Sequence, residues 1–149
     1  MINVNWVNEA LAASATSGEV DVLTLTYEGA KQAWGACASL SPVGDIAGKN
    51  TFSVKIKNNG TTAKIRLDLL AADGSRSHVS AEAVGAWWME SQMDRVFLVI
   101  GEGTKVTVVV TYDVAKAPAD IRILPALQEE TDPISVDLTF SEFKFAVAE

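Results

Sequence analysis

The chain has 149 residues, 48% hydrophobic and 21% charged, which fits one globular domain with a substantial core and excludes a disordered segment. A net charge of −7 argues against nucleic acid or an anionic membrane as partner, because both require a basic patch. The single cysteine, Cys37, excludes an intrachain disulfide and a cysteine-based zinc site.

No apolar run approaches the ~20 residues of a membrane helix. No Lys or Arg precedes Lys31, so the N-terminus does not read as a signal peptide. Residues 1–18 carry two patterns at once: Val4, Val7 and Leu11 recur at near-helical spacing, while Ile2, Val4 and Trp6 alternate. Trp6 reads most simply as a packing residue that pins the N-terminus. From Glu19 the period is two, and a strand beginning at Val20 and Val22 ends near Tyr27. Trp34 to Leu40 reads as a strand of small side chains, which leaves room on its face for a ligand or a large neighbour. Cys37, between two alanines of that strand, reads as a small buried hydrophobe rather than a nucleophile.

After the turn-rich Ser41 to Gly48, Phe52, Val54 and Ile56 alternate with Ser53, Lys55 and Lys57. Asn58-Asn59-Gly60 is a hairpin signal. The return strand sets Ile65, Leu67 and Leu69 on one face and Lys64, Arg66 and Asp68 on the other. Residues 75–93 show no clear period and read as a long structured loop, the kind of segment that carries function on a β domain. Ser80, Glu82 and the alanines there suit one helical turn. This stretch holds Trp87 and Trp88. In an extended backbone, adjacent side chains point to opposite faces, so one ring is expected in the core and the other outward as a stacking platform. The alternative, with both rings buried, stays open.

Val96 to Ile100, a turn at Gly101-Glu102-Gly103 and the alternating Val106, Val108, Val110 and Tyr112 come next. A loop over 113–119 leads to a short strand around Ile121 and Ile123, and Gln128 to Pro133 reads as an acidic loop. Val136, Leu138 and Phe140 share a parity that Phe143 and Phe145 break, which predicts a bulge near Ser141-Glu142. Eight or nine short strands without a sustained helix predict an all-β chain, an antiparallel two-sheet β-sandwich or jelly roll over residues 1–149.

Catalysis finds little support. His78 is the one histidine, it lies in a Ser-rich segment, and no nucleophile-elbow pattern accompanies it. Glu90 and Asp94 are the carboxylate pair worth testing for glycosidase chemistry. Phosphate loops, EF-hand loops and Cys/His metal spacings are missing. Asp45, Asp73 and Asp132 sit in turns that carbonyls could complete into a structural calcium site, but simple turn chemistry explains them. No cofactor is expected. Binding finds more. A sugar ring has a C–H face that packs on an aromatic plane and hydroxyls that pair with polar side chains. Trp34, Trp87 and Trp88 supply rings, with Tyr27, Gln32, Glu90 and Gln92 as lesser candidates.

Two segments carry a family likeness. Phe52-Ser53-Val54-Lys55-Ile56-Lys57-Asn58-Asn59-Gly60 with Ile65 to Gly74, and the closing Ile134 to Phe145, resemble the carbohydrate-binding modules of the β-jelly-roll, galactose-binding-like type that accompany plant-cell-wall glycoside hydrolases. The resemblance implies a non-catalytic module that binds a β-linked polysaccharide (β-glucan, xyloglucan or mannan) through tryptophans. It also implies an extracellular, multidomain glycoside hydrolase as the larger protein. The N-terminal acidic cluster that holds calcium in that family is not recognisable here. A structural or adhesive β-sandwich without glycan binding is the alternative, and a small hydrolase is the third reading.

Overall fold

Period-two alternation runs through most of the chain, and it becomes strands. The computed structural model describes residues 1–7, 18–30, 38–76, 78–124 and 134–148, with residues 27–30, 134 and 135 described through their backbone. In chain order the strands are β1 (Ile2–Val7), β2 (Gly18–Val20), β3 (Val22–Ala30), β4 (Ala38–Ser41), β5 (Thr51–Asn58) and β6 (Ala63–Ala71). They continue as β7 (Ser80–Val84), β8 (Trp88–Gln92), β9 (Arg95–Ile100), β10 (Lys105–Thr111), β11 (Pro118–Leu124) and β12 (Ile134–Ala146). Among the described residues there is no α-helix. A 3₁₀ turn at Val114–Lys116 is capped by the Asp113 carboxylate, which accepts from the Ala115 N–H.

Every ladder among the described residues is antiparallel. One sheet has seven strands in the order β2-β1-β4-β11-β6-β9-β8, and the other has five in the order β3-β12-β5-β10-β7. The two pack face to face as a β-sandwich around one core. Ile65, Leu67, Leu69, Val96, Leu98 and Ile100 enter it from the first sheet, and Phe52, Val54, Ile56, Val106, Val108 and Phe140 from the second. A one-residue slip in any of these strands would turn its apolar set into water, so the burial itself holds the register.

The expected bulge in the last strand is present. Pairing with β5 shifts between Ser141 and Lys144, and Glu142 takes a positive φ of 53°. The extra residue lets Phe140 and Phe143 both face inward, and sets the Phe145 ring 5.0 Å from that of Phe52.

Two expectations are corrected. The strands around Phe52–Ile56 and Ile65–Leu69 form, but they do not make a hairpin, because β5 and β6 lie in opposite sheets. Asn58 explains why. It is fully buried, and its side-chain amide donates to the carbonyls of Thr61 (2.7 Å), Ile100 (3.0 Å) and Gly101 (3.2 Å). That ties the β5–β6 crossing to the neighbouring β9–β10 crossing, and a polar turn residue thus serves as an interior corner post. The second correction concerns residues 75–93, which hold two strands, β7 and β8, instead of a loop or a helical turn. Their inward positions are Ala81, Ala83, Met89 and Ser91, of which only Met89 is large and apolar, so no hydrophobic period shows.

Candidate functional site

Strand β8 is an edge of the seven-stranded sheet, and its alternation sends Trp88, Glu90 and Gln92 to the outer face. On β9 the outer positions are Arg95, Phe97 and Val99, since Val96, Leu98 and Ile100 are buried. Register then fixes the neighbours. Trp88 lies across from Val99, Glu90 from Phe97 and Gln92 from Arg95; one strand further, Val99 faces Lys64, Phe97 faces Arg66 and Arg95 faces Asp68. Lys64, Arg66, Trp88, Glu90 and Gln92 therefore share one surface.

The middle of that face is a locked polar lattice. Arg66 donates through Nε to Asp68 Oδ1 at 2.8 Å and through Nη2 to Asp68 Oδ2 at 2.9 Å. Arg122, directly across from Asp68, donates from Nε to Asp120 Oδ2 at 2.9 Å, and the other Asp120 oxygen accepts from Ser39 Oγ at 2.7 Å. The lattice runs on to β1 through Asn5, which donates to Ser39 Oγ and accepts from Ser41 Oγ. The Arg66 and Asp68 side chains are only 7% and 15% exposed. The β6 part of the face is thus closed, and the β8–β9 edge is accessible, with Trp88, Glu90 and Gln92 exposed.

Neither tryptophan of the pair is in the core: Trp87 is 67% exposed and Trp88 43%. The expectation that one ring would anchor the interior fails because Trp87 precedes the strand. The chain crosses there from β7 to β8, through Gly85 at φ 99°, where a Cβ would run into the Lys105 carbonyl oxygen. The Trp87 N–H donates to the Val99 carbonyl at 2.9 Å. Its indole lies on Gly101, where an added Cβ would come within 2.6 Å of ring atoms Cζ2 and Nε1. A glycine is what lets that ring lie against the backbone.

Trp6 is also corrected. It pairs with Ser39 across a bulge in β1, on the outer face, and is 40% exposed instead of packed. Trp6 and Trp88 stand on strands five steps apart in the sheet, roughly 24 Å at the usual interstrand spacing. Trp34 and Gln32 lie outside the described residues, as do Cys37, Asp132 and the side chain of Tyr27. Arg95 and Phe97 were not singled out by sequence; the alternation of Arg95-Val96-Phe97-Leu98-Val99-Ile100 contains the signal.

The remaining chemistry is sparse. Glu90 is on the outer face, while Asp94 is buried in the β8–β9 turn with Oδ2 3.9 Å from Arg76 Nε. The two carboxyls therefore do not share a surface: Glu90 is exposed and Asp94 is buried. His78 is exposed. Asp45 and Asp73 each use one oxygen to cap a turn, accepting from the N–H groups of Ala47 and Ser75 at 2.8 Å. Hydrogen bonds from Ser75 hold the Asp73 carboxyl below its usual pKa. No group of three metal-ligating side chains occurs among the described residues. On the opposite outer face a shallow depression of about 510 Å³, lined by Thr51, Ser80, Glu82, Val109 and Thr111, carries no aromatic ring.

Comparison of the chain with protein-family models, curated proteins and solved structures finds no match.

Proposed function

We propose that this chain is a non-catalytic polysaccharide-binding module, and that the β8–β9 edge of the seven-stranded sheet is its binding face. The observation that carries the reading is Trp88, an indole left 43% exposed on a strand, with Val99 across from it and Glu90 next on the same face. Large rings are usually withdrawn from water. A ring left open on a rigid sheet offers a flat apolar plane, and Glu90, Gln92 and Arg95 further along the same edge offer acceptors and donors for hydroxyls. Such a surface needs no cofactor and no movement. The ligand class that fits is a β-linked plant polysaccharide such as β-glucan, xyloglucan or mannan, and the wider role is to hold an attached glycoside hydrolase on its extracellular substrate.

Native electrophoresis through gels containing soluble β-glucan, xyloglucan or mannan tests this. The parent chain is expected to be retarded by at least one of them. Trp88→Ala should lose about 2 kcal/mol of binding or more, a roughly thirtyfold drop in affinity, with an unchanged melting curve. Equal retardation of parent and variant would return Trp88 to ordinary surface, and the structural or adhesive reading would replace this one.

A further inference from the structure

The outer positions of β8, β9, β6 and β11 hold four cations, Lys64, Arg66, Arg95 and Arg122, and three carboxylates, Asp68, Glu90 and Asp120, on a chain that carries −7 as a whole; Lys64 has a partner of its own. In the lattice described above every aspartate oxygen has a donor: Arg66 bonds the two oxygens of Asp68, and Arg122 with Ser39 bonds those of Asp120. Arg95 stands directly across from Asp68, whose carboxylate is turned to Arg66 on its own strand. Among the described residues Arg95 has no carboxylate partner. It is half-buried at the accessible edge, between Gln92 and Asp68 in register and beside Phe97.

We infer that Arg95 is the receptor for a carboxylate carried by the polysaccharide, so that the ligand is an acidic, uronate-type glycan with a β-linked backbone. This rests on the glycan-binding reading of the same face and narrows it. A guanidinium is a planar fork that matches a carboxylate with two parallel hydrogen bonds, and this face already forms that pair once, between Arg66 and Asp68. Arg95 has the same fork and no internal acid to fill it. Trp88 and Phe97 provide the ring planes on which the backbone sugars rest. Glu90, one register step away, is the free acid nearest to it on this edge and opposes an anionic ligand.

Affinity gels with three polymers on one β-glucan backbone test the inference: carboxymethylcellulose, hydroxyethylcellulose and cellulose sulfate. The parent should be retarded most by carboxymethylcellulose. Arg95→Gln should lose about tenfold of that affinity, the usual consequence of removing a charged hydrogen-bonded partner. Glu90→Gln should gain affinity. Lys57→Gln, the same charge change on the opposite face of the sandwich, should change nothing. Thermal unfolding of each variant confirms that the fold is intact. If hydroxyethylcellulose binds as well as carboxymethylcellulose and Arg95→Gln matches the parent, the acidic-ligand inference is overturned while the glycan-binding reading stands. If the sulfate binds equally or better, the carboxylate assignment is overturned. An equal loss in Lys57→Gln would reduce the effect to overall charge and overturn it too. If no polymer, neutral or charged, retards the parent, both readings fall.

Discussion

On the outside of the seven-stranded sheet, guanidiniums and carboxylates lock one another along β6 and β11, and rings stand at the margins. On the outside of the five-stranded sheet, threonines at 24, 26, 107, 111 and 139 and lysines at 55, 57, 105 and 144 stand largely apart in solvent. The ion pair found there, Lys55 with Glu142 at 2.8 Å, is 54% and 63% exposed. The same alternation builds both surfaces, so the fold does not require the difference. Sheet stability is served by either: β-branched threonine suits a strand, and an exposed lysine discourages stray pairing. Arginine forks held by aspartates do something further, which is to fix side-chain geometry next to the proposed binding edge. Preorganisation of that kind lowers the entropy lost on binding.

The largest expected contrast comes from breaking one ion pair on each face. Asp68→Ala leaves the nearly buried Arg66 guanidinium without a partner and should cost on the order of 3 kcal/mol, a fall in melting temperature of roughly 6–12 °C. Lys55→Ala, in water on the other face, should cost under ~0.5 kcal/mol. Matching losses in thermal unfolding would show that the two faces are not built differently after all.

An intermediate effect is expected inside, where Tyr112 contrasts with the paired polar groups outside. Its hydroxyl is buried without a partner among the described residues, and burial raises its pKa above the ordinary value of 10.0. The folded state therefore keeps this proton where the unfolded chain releases it, so stability is unaffected below about pH 10 and falls as pH climbs towards the folded value. Tyr112→Phe should shift alkaline unfolding to higher pH. At neutral pH it should leave the melting temperature unchanged or raise it by the equivalent of about 1 kcal/mol, since an unsatisfied buried group is removed. A lower neutral melting temperature would mean that the hydroxyl has a partner after all.

The smallest effect concerns the rim. Gly101→Ala places a Cβ where the Trp87 indole lies. Because that ring is mostly exposed, it can swing into water, so the loss should stay below ~1 kcal/mol with a red shift in tryptophan emission. An unchanged spectrum would mean that Trp87 does not rest on that glycine.

What could be read from the chain beforehand follows the physics of alternation. Strands with a clean two-residue period and bulky inner side chains, such as Phe52–Ile56 and Val106–Val110, were legible, and so was the bulge where Phe143 breaks parity. Strand partners were not. Asn58-Asn59-Gly60 has hairpin chemistry, and only the buried contacts of Asn58 with Ile100 and Gly101 reveal a crossing between sheets. β7 and β8 were hidden because alanine, serine and methionine fill their inner positions. The pair Trp87-Trp88 was expected to divide between core and surface, but the turn at Gly85 breaks the alternation just before it. Glu90, Gln92 and Trp88 were legible as candidates. Arg95 was not, since its meaning comes from two aspartates on other strands that are turned to other arginines.

Amide chemical-shift changes in isotopically labelled protein, on titration with a soluble β-linked polysaccharide, address the binding face directly. The expected result is that the largest changes fall on residues 88–92 and 95–99, with the indole N–H of Trp88 among them, while 51–58 and 105–111 stay still. Changes confined to the five-stranded sheet, or none anywhere at saturating polysaccharide, would contradict the assignment of this face.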